Sequence, residues 1–113
     1  MEAKVINLEE GMPTVDIGVK KLYLEIMTAK QQRRKVLKVI HGYGSSGVGG
    51  RLRKGVQKYL EEKKKEGFIK NYIPGEKWSI FNADTRSILD QDRDLRNDRD
   101  LERFNLGITI VLL

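Results

Sequence analysis

The chain has 113 residues, no cysteine and a single histidine, and its 22 Lys and Arg outnumber its 16 Asp and Glu to give a net charge of +6. This length suits one domain over residues 1–113, and the absence of cysteine excludes a disulfide scaffold, a thiolate metal site and a cysteine nucleophile. Because no apolar run is long enough to span a membrane and the N-terminus lacks a signal-peptide core, the sequence predicts a cytoplasmic protein with no membrane partner.

The positive charge is concentrated in the first three-quarters of the chain. Residues 1–83 contain 17 Lys and Arg against 9 Asp and Glu, whereas residues 84–113 contain 5 against 7. A basic surface of this kind favours a polyanionic partner, above all nucleic acid.

The hydrophobic pattern predicts alternating strands and helices, and therefore an α/β fold. A helix capped by Thr14 follows the first strand, and a second helix over about 51–65 follows the second strand. The order of these elements indicates parallel pairing through right-handed crossovers, in a two-layer sandwich with two main helices and a four-stranded, mostly parallel or mixed sheet. The predicted strands are 4–8, 36–40, 68–73 and 107–113.

A charged excursion over about 76–106 separates the third predicted strand from the last. Asn82 or Asp84 caps a short helix within it, and charges alternate from Asp92 to Arg103. The charge run has two interpretations, a solvent-exposed surface or a protein-interaction surface over 84–103. The residues expected to hold the excursion down are Trp78, Ile80, Phe81 and Phe104.

The segment between the second strand and the second helix is rich in glycine. Five glycines fall within residues 42–50, which are therefore expected to be irregular. Glycine permits positive φ and close approach to a ligand, and the free amides of a following helix attract anions. We therefore predict a phosphate-binding loop. Its residues are Gly42, Tyr43, Gly44, Ser45, Ser46, Gly47, Gly49, Gly50, Arg51, Arg53 and Lys54.

Basic residues occupy the first turn of the second helix, where the helix dipole disfavours them unless an anion is bound. Replacing Arg51 or Arg53 by alanine is accordingly expected to weaken nucleic-acid binding without loss of stability. The spacing of glycines at 42, 44 and 47 also matches a dinucleotide fingerprint, but it follows the second strand, and the acids about 20 positions on, Glu61 and Glu62, fall inside the second helix. A Walker loop is excluded because no Lys-Ser or Lys-Thr follows the last glycine.

The run His41-Gly42-Tyr43-Gly44 with its flanking strand and helix resembles the His-Gly-x-Gly signature of the Smr (small MutS-related) domain family. The resemblance covers residues 3–73 and 107–113. It implies a fold similar to the C-terminal domain of the third bacterial translation initiation factor, and a module that binds DNA or RNA and in several members nicks it. His41, Gly42 and Gly44 match the motif.

A second family motif, Leu-Asp-x-His-Gly near the N-terminus, is altered in this chain. Asn7 stands in place of its aspartate, and Glu9 or Glu10 in place of its histidine. By this resemblance the candidate catalytic residues are Glu9 or Glu10 as base and His41 as acid, with Arg51 or Arg53 stabilising charge. The alternative for His41 is a strand-end residue hydrogen-bonded to backbone.

These observations lead to one function and one alternative. The leading hypothesis is a nucleic-acid-binding module that recognises phosphate and nucleic-acid structure rather than base sequence, with weak or no endonuclease activity. Tyr43 is expected to stack on an unpaired base. No cofactor is expected, except a divalent metal ion if the protein is a nuclease. The alternative is a protein-interaction domain that uses residues 84–103.

Overall fold

A computed structural model describes residues 3–11, 13–43 and 48–113. These residues form four strands, three α-helices and two short 3-10 turns. In chain order these are β1 (Lys4–Asn7), α1 (Val15–Gln31), β2 (Val36–Ile40), α2 (Val48–Lys65), β3 (Asn71–Pro74), a 3-10 turn (Gly75–Lys77), α3 (Ala83–Gln91), a second 3-10 turn (Arg93–Asn97) and β4 (Ile108–Leu112). The predicted α/β class, with a four-stranded mixed sheet, is confirmed.

Local sequence signals explain where the helices begin and end. The Thr14 hydroxyl accepts a hydrogen bond from the Ile17 amide, and the Asn82 side chain accepts one from Thr85, so both residues act as N-caps. Gly67, at φ +79°, ends α2 in a Schellman motif, in which the Phe68 amide donates to the Lys63 carbonyl.

Two predicted boundaries were wrong. Helix α2 begins at Val48, so the last residues of the glycine-rich segment are helical rather than irregular. Burial of Leu52 and Val56 against the core offsets the roughly 1 kcal/mol that each glycine costs in a helix. Strand β3 begins at Asn71 rather than at residue 68, because the Phe68 and Ile69 amides both bond to the end of α2.

The strand order in the sheet is β1-β2-β4-β3. Strands β1 and β2 pair in parallel as predicted, but β4 lies between β2 and β3 and is antiparallel to both. The predicted parallel pairing of the second and third strands is therefore wrong. All five residues of β4 are buried, and a central position is where a strand can bury both of its faces.

The two faces of the sheet have separate cores. Helices α1 and α2 cover one face through a cluster that includes Leu22, Leu37 and Leu60. The excursion between β3 and β4 covers the other face through Trp78 and α3. The excursion is thus part of the folded body, and its apolar residues Ile88, Leu89 and Leu95 are buried.

Three of the four anchors predicted for the excursion are wrong. Trp78 is buried, whereas Ile80, Phe81 and Phe104 are 47%, 86% and 62% exposed. The buried face of α3 is formed by Thr85, Ile88 and Leu89, and Ile80 and Phe81, which precede the Asn82 cap, are not part of it. Among the described residues, no helix is long and apolar enough to cross a membrane.

Candidate nucleic-acid interface

The chain leaves β2 through His41, Gly42 and Tyr43, at the carboxyl end of the strand. Gly42 has φ +73°, which favours glycine. The amides of His41 and Gly42 both donate to the Gly107 carbonyl, at 2.9 and 3.0 Å. The start of the predicted loop is therefore held against the residue that precedes β4. The next four predicted loop residues, Gly44, Ser45, Ser46 and Gly47, lie outside the described residues.

The His41 side chain, which directly follows β2, is fully buried. Its Nδ1 lies 2.6 Å from the Gly42 carbonyl oxygen and its Nε2 lies 2.8 Å from the Thr109 hydroxyl. A carbonyl oxygen can only accept, so in the neutral ring Nδ1 carries the proton and Nε2 accepts from Thr109. This geometry favours the alternative of a strand-end residue hydrogen-bonded to backbone.

The environment of His41 keeps the ring neutral. Burial lowers the pKa of His41, the bond to the Gly42 carbonyl opposes that shift, and the Arg53 guanidinium adds to it. The carboxylates of Glu76 and Glu9 act in the opposite direction and do not outweigh burial. His41 is therefore a neutral, buried link between the loop and β4.

Glu9 lies beside the same loop. A Cβ built on Gly42 would fall 2.5 to 2.8 Å from the Glu9 carboxylate atoms, so this acid packs directly against the glycine backbone. Its amide donates to the Asn7 side chain at 2.9 Å, which fixes the turn after β1. Glu10, the other predicted base, is exposed in the same turn. The fold thus places Glu9 against Gly42, the residue that directly follows His41.

The basic residues of α2 have different surroundings. Arg51 and Lys54 are exposed in the first turns of α2, together with the half-buried Gly50. Arg53 instead donates from Nη2 to both carboxylate oxygens of Glu76, at 3.0 and 3.1 Å. Arg53 therefore links α2 to the turn after β3. Gly49 lies in the first turn of α2.

A groove of about 740 Å³ runs between the loop and the excursion. Lys38 lies on its floor, only 5% exposed, and pairs with Asp98 at 2.8 Å and with Asp100. Asp98 also accepts a hydrogen bond from the indole of Trp78. The charged residues of the excursion are thus not all solvent-exposed, because Asp98 and Asp100 neutralise the buried Lys38.

Hydrogen bonds connect this ion cluster to the loop. The Asn105 side chain donates to Asp100 at 2.9 Å and accepts from the Gly107 amide at 2.8 Å. Gly107 in turn accepts from the loop amides. Burial acts to raise the pKa of Asp100, but the hydrogen bonds from Lys38 and Asn105 outweigh it and hold that pKa below its usual range. The excursion therefore supports the loop from the side opposite to α2.

Sequence reasoning missed Lys38 and the pairing of Arg53. The available signal for Lys38 was its place in an apolar strand, where it alternates with Leu37 and Val39 and so faces away from the helices. Among the described residues, no group of three or more His, Cys, Asp or Glu side chains is placed to hold a metal ion.

Comparisons with known proteins agree with this architecture. The crystal structure of the Smr domain of MutS2 from Thermus thermophilus matches with a TM-score of 0.61, covering 98% of each chain at 16% sequence identity. At that identity the match is evidence of a shared fold only. A search of curated proteins gave no match. The Smr domain family model matches residues 10–79, more than half of the sequence. The chain therefore belongs to the Smr domain family.

Proposed function

We propose that this chain is a nucleic-acid-binding module that contacts phosphate groups through the glycine-rich loop and the basic start of α2. The Smr family is known for nucleic-acid binding and nicking. The observation that carries the proposal is the exposure of Arg51 and Lys54 at the beginning of a helix that directly follows the loop. The first turn of α2 contains no acidic residue.

Physical chemistry supports an anion at this position. The first turn of a helix has free amide donors and lies at the positive end of the helix dipole. Lysine and arginine are repelled by that dipole end, so their presence there is favourable only when a bound anion offsets the repulsion. Arg53 is bound to Glu76, so Arg51 and Lys54 are the phosphate ligands that we propose on α2. Contacts of this kind recognise backbone charge and carry no base sequence.

The alternative of a protein-interaction surface over 84–103 is less well supported. Its apolar side chains, Ile88, Leu89 and Leu95, are buried in the core beneath the sheet and cannot contact a partner. Two of its acids, Asp98 and Asp100, are paired with Lys38. The side chains that remain exposed over 84–103 are mostly charged. Protein interfaces instead depend mainly on a few apolar and aromatic side chains.

The test is a salt titration of binding with matched variants. Fluorescence anisotropy with labelled single strands, hairpins and duplexes should show affinity that falls steeply with salt, by a log-log slope of roughly −0.9 per phosphate on duplex or −0.7 on single strands. Arg51→Ala and Lys54→Ala should each weaken binding to every substrate.

Lys65→Ala is the control, because it removes the same charge at the far end of α2, roughly 21 Å from Arg51 at 1.5 Å per residue. Absence of binding at low salt, or an equal loss in Lys65→Ala, would refute the proposal.

A further inference from the structure

Two exposed aromatic rings lie together beside the loop. Tyr43 is 60% exposed and Phe104 is 62% exposed. Both line one shallow depression of about 380 Å³, together with Arg103 and Leu106. Tyr43 belongs to the loop and Phe104 to the end of the excursion, so the fold brings them together from 61 residues apart in sequence.

The backbone around Phe104 is held in an uncommon conformation. Glu102 and Phe104 have φ of +69° and +54°, in the left-handed region that favours glycine. The Glu102 amide donates to the Trp78 carbonyl at 3.0 Å, and its carboxylate accepts from the Ser79 hydroxyl at 3.0 Å and from the Ile80 amide. These bonds fix a turn that keeps an apolar ring in water. Retained strain of this kind is concentrated at binding sites.

The charge around the two rings is favourable for a polyanion. Arg103 lines the depression, and Arg99 lines the neighbouring groove on the other side of Tyr43. The acid in the depression is Asp100, which is paired with Lys38 and accepts a hydrogen bond from the Asn105 amide, and the groove that contains Arg99 also contains Glu9. The surface therefore offers two aromatic faces flanked by two guanidinium groups.

We propose that this surface, Tyr43 and Phe104 with Arg99 and Arg103, is a stacking platform for the unpaired bases of single-stranded nucleic acid. The inference rests on the proposed function and specifies its substrate class. Aromatic rings within a cationic groove bind single strands because every unpaired base has an exposed face, and arginine adds phosphate contacts and stacking of its own. A duplex hides its base faces, so it can use the phosphate loop but not the rings.

The experiment compares single strand and duplex of equal length at one salt concentration, by fluorescence anisotropy. Tyr43→Ala and Phe104→Ala should each weaken single-strand binding by about five-fold to a hundred-fold, as expected for loss of one base–aromatic stack. Duplex binding should stay unchanged in Phe104→Ala, whereas Tyr43→Ala, which also alters the phosphate loop, should lose more affinity for the single strand than for the duplex. Tyr43→Phe retains the ring and should bind like the wild type. Phe81→Ala is the matched control, since Phe81 is exposed on the excursion but does not line the depression.

The outcomes separate this inference from the function on which it rests. If Arg51→Ala and Lys54→Ala weaken binding while Tyr43→Ala and Phe104→Ala do not, the platform is wrong and the phosphate loop stands. If the ring variants weaken binding to single strand and to duplex equally, the platform is also wrong. If the wild type binds no nucleic acid, both proposals fall. Equal melting temperatures among the variants confirm that the losses are not due to unfolding.

Discussion

His41 connects packing to the candidate site. Its two nitrogens join the loop carbonyl of Gly42 to Thr109 on β4, and the ring is completely enclosed. A buried imidazole of this kind cannot reach a phosphate in the described conformation. We infer that it positions the loop that begins at Gly42, whose backbone Glu9 contacts.

Burial of neutral His41 makes stability depend on pH. Because burial lowers the pKa of His41 in the folded state, the unfolded chain binds more protons, and stability falls as pH decreases through the unfolded pKa of about 6.5. We expect a loss of about 1 kcal/mol or less between pH 7 and 5.5. His41→Gln should abolish this dependence, measured by urea unfolding at each pH. His41 is the chain's single histidine, so an unchanged slope in the variant would contradict the assignment.

Lys38 is a second residue whose charge we expect to stabilise the fold. Replacing it with methionine leaves Asp98 and Asp100 partly buried without their cation, so we expect the free energy of unfolding to fall by about 3–5 kcal/mol at pH 7. Because the pKa of Asp100 is lowered in the wild type, this stabilisation is present above the unfolded pKa of about 3.9 and disappears as pH falls below it.

Urea unfolding at pH 7 and pH 3 measures both effects of Lys38→Met. The difference in free energy of unfolding between variant and wild type should be smaller at pH 3 than at pH 7. Lys35→Met is the control, since Lys35 is exposed just before β2. Equal losses of stability in Lys38→Met and Lys35→Met at pH 7 would show that the ion pairs of Lys38 contribute little to stability.

At the scale of elements, local signals predicted α1 and the core strands. The spacing of Leu22, Ile26 and Ala29 places them on one buried face, and the Thr14 cap is present in the structure. The position of β4 could not be predicted, because an apolar strand pattern does not specify its neighbours in the sheet. The anchors of the excursion were misassigned because exposed Phe81 and buried Leu89 are equally apolar in sequence.

The candidate site was predictable only in part, for a related reason. The glycine-rich loop could be proposed because its residues are contiguous, and the family resemblance pointed to His41 and to Glu9 or Glu10. The pairs Lys38–Asp98 and Arg53–Glu76 join residues 60 and 23 positions apart, and no local pattern indicates such partners. The aromatic pair of Tyr43 and Phe104 was missed because Phe104 was expected to be buried.

Arg53 and Arg51 lie on the same helix and should respond differently to substitution. Arg53→Ala breaks the bond from α2 to Glu76, so we now expect a loss of about 1–2 kcal/mol in stability, whereas the sequence alone predicts no loss. Arg51→Ala removes an exposed side chain and should stay within about 0.5 kcal/mol of the wild type. Urea unfolding measures both variants, and a double-mutant cycle with Glu76→Ala isolates the pair. Equal stabilities of the two variants would refute this assignment.

At the scale of the whole molecule, the charge on the folded surface is distributed differently from the charge along the sequence. The excursion has more acids than bases, but Asp98 and Asp100 turn toward Lys38, and Glu102 binds Ser79 and Ile80. Its exposed residues beside the loop therefore include Arg99 and Arg103. A segment of negative net charge can thus present a cationic surface at the site.

The altered N-terminal motif determines what nuclease activity to expect from the whole protein. Asn7 replaces the aspartate of the family motif, and the Glu9 carboxylate packs against Gly42 of the loop, where a negative charge repels a phosphodiester. We therefore expect activity far below that of family members with the complete motif. Any genuine cleavage should depend on a divalent metal ion or on Arg51, which would offset the repulsion.

Cleavage of labelled single-stranded RNA and DNA and of supercoiled plasmid, each with magnesium, manganese or chelator, tests this prediction. If Glu9 acts as general base, Glu9→Gln should lower the rate by about 100-fold or more, whereas Glu10→Gln, exposed in the same turn, serves as the matched control. His41→Ala should reduce cleavage only as far as it displaces the loop, so its loss should track the loss of binding. Cleavage that survives Glu9→Gln, Glu10→Gln and His41→Ala would indicate a contaminant or a different active site, and strong wild-type activity abolished by Glu9→Gln would show that the altered motif is still catalytic.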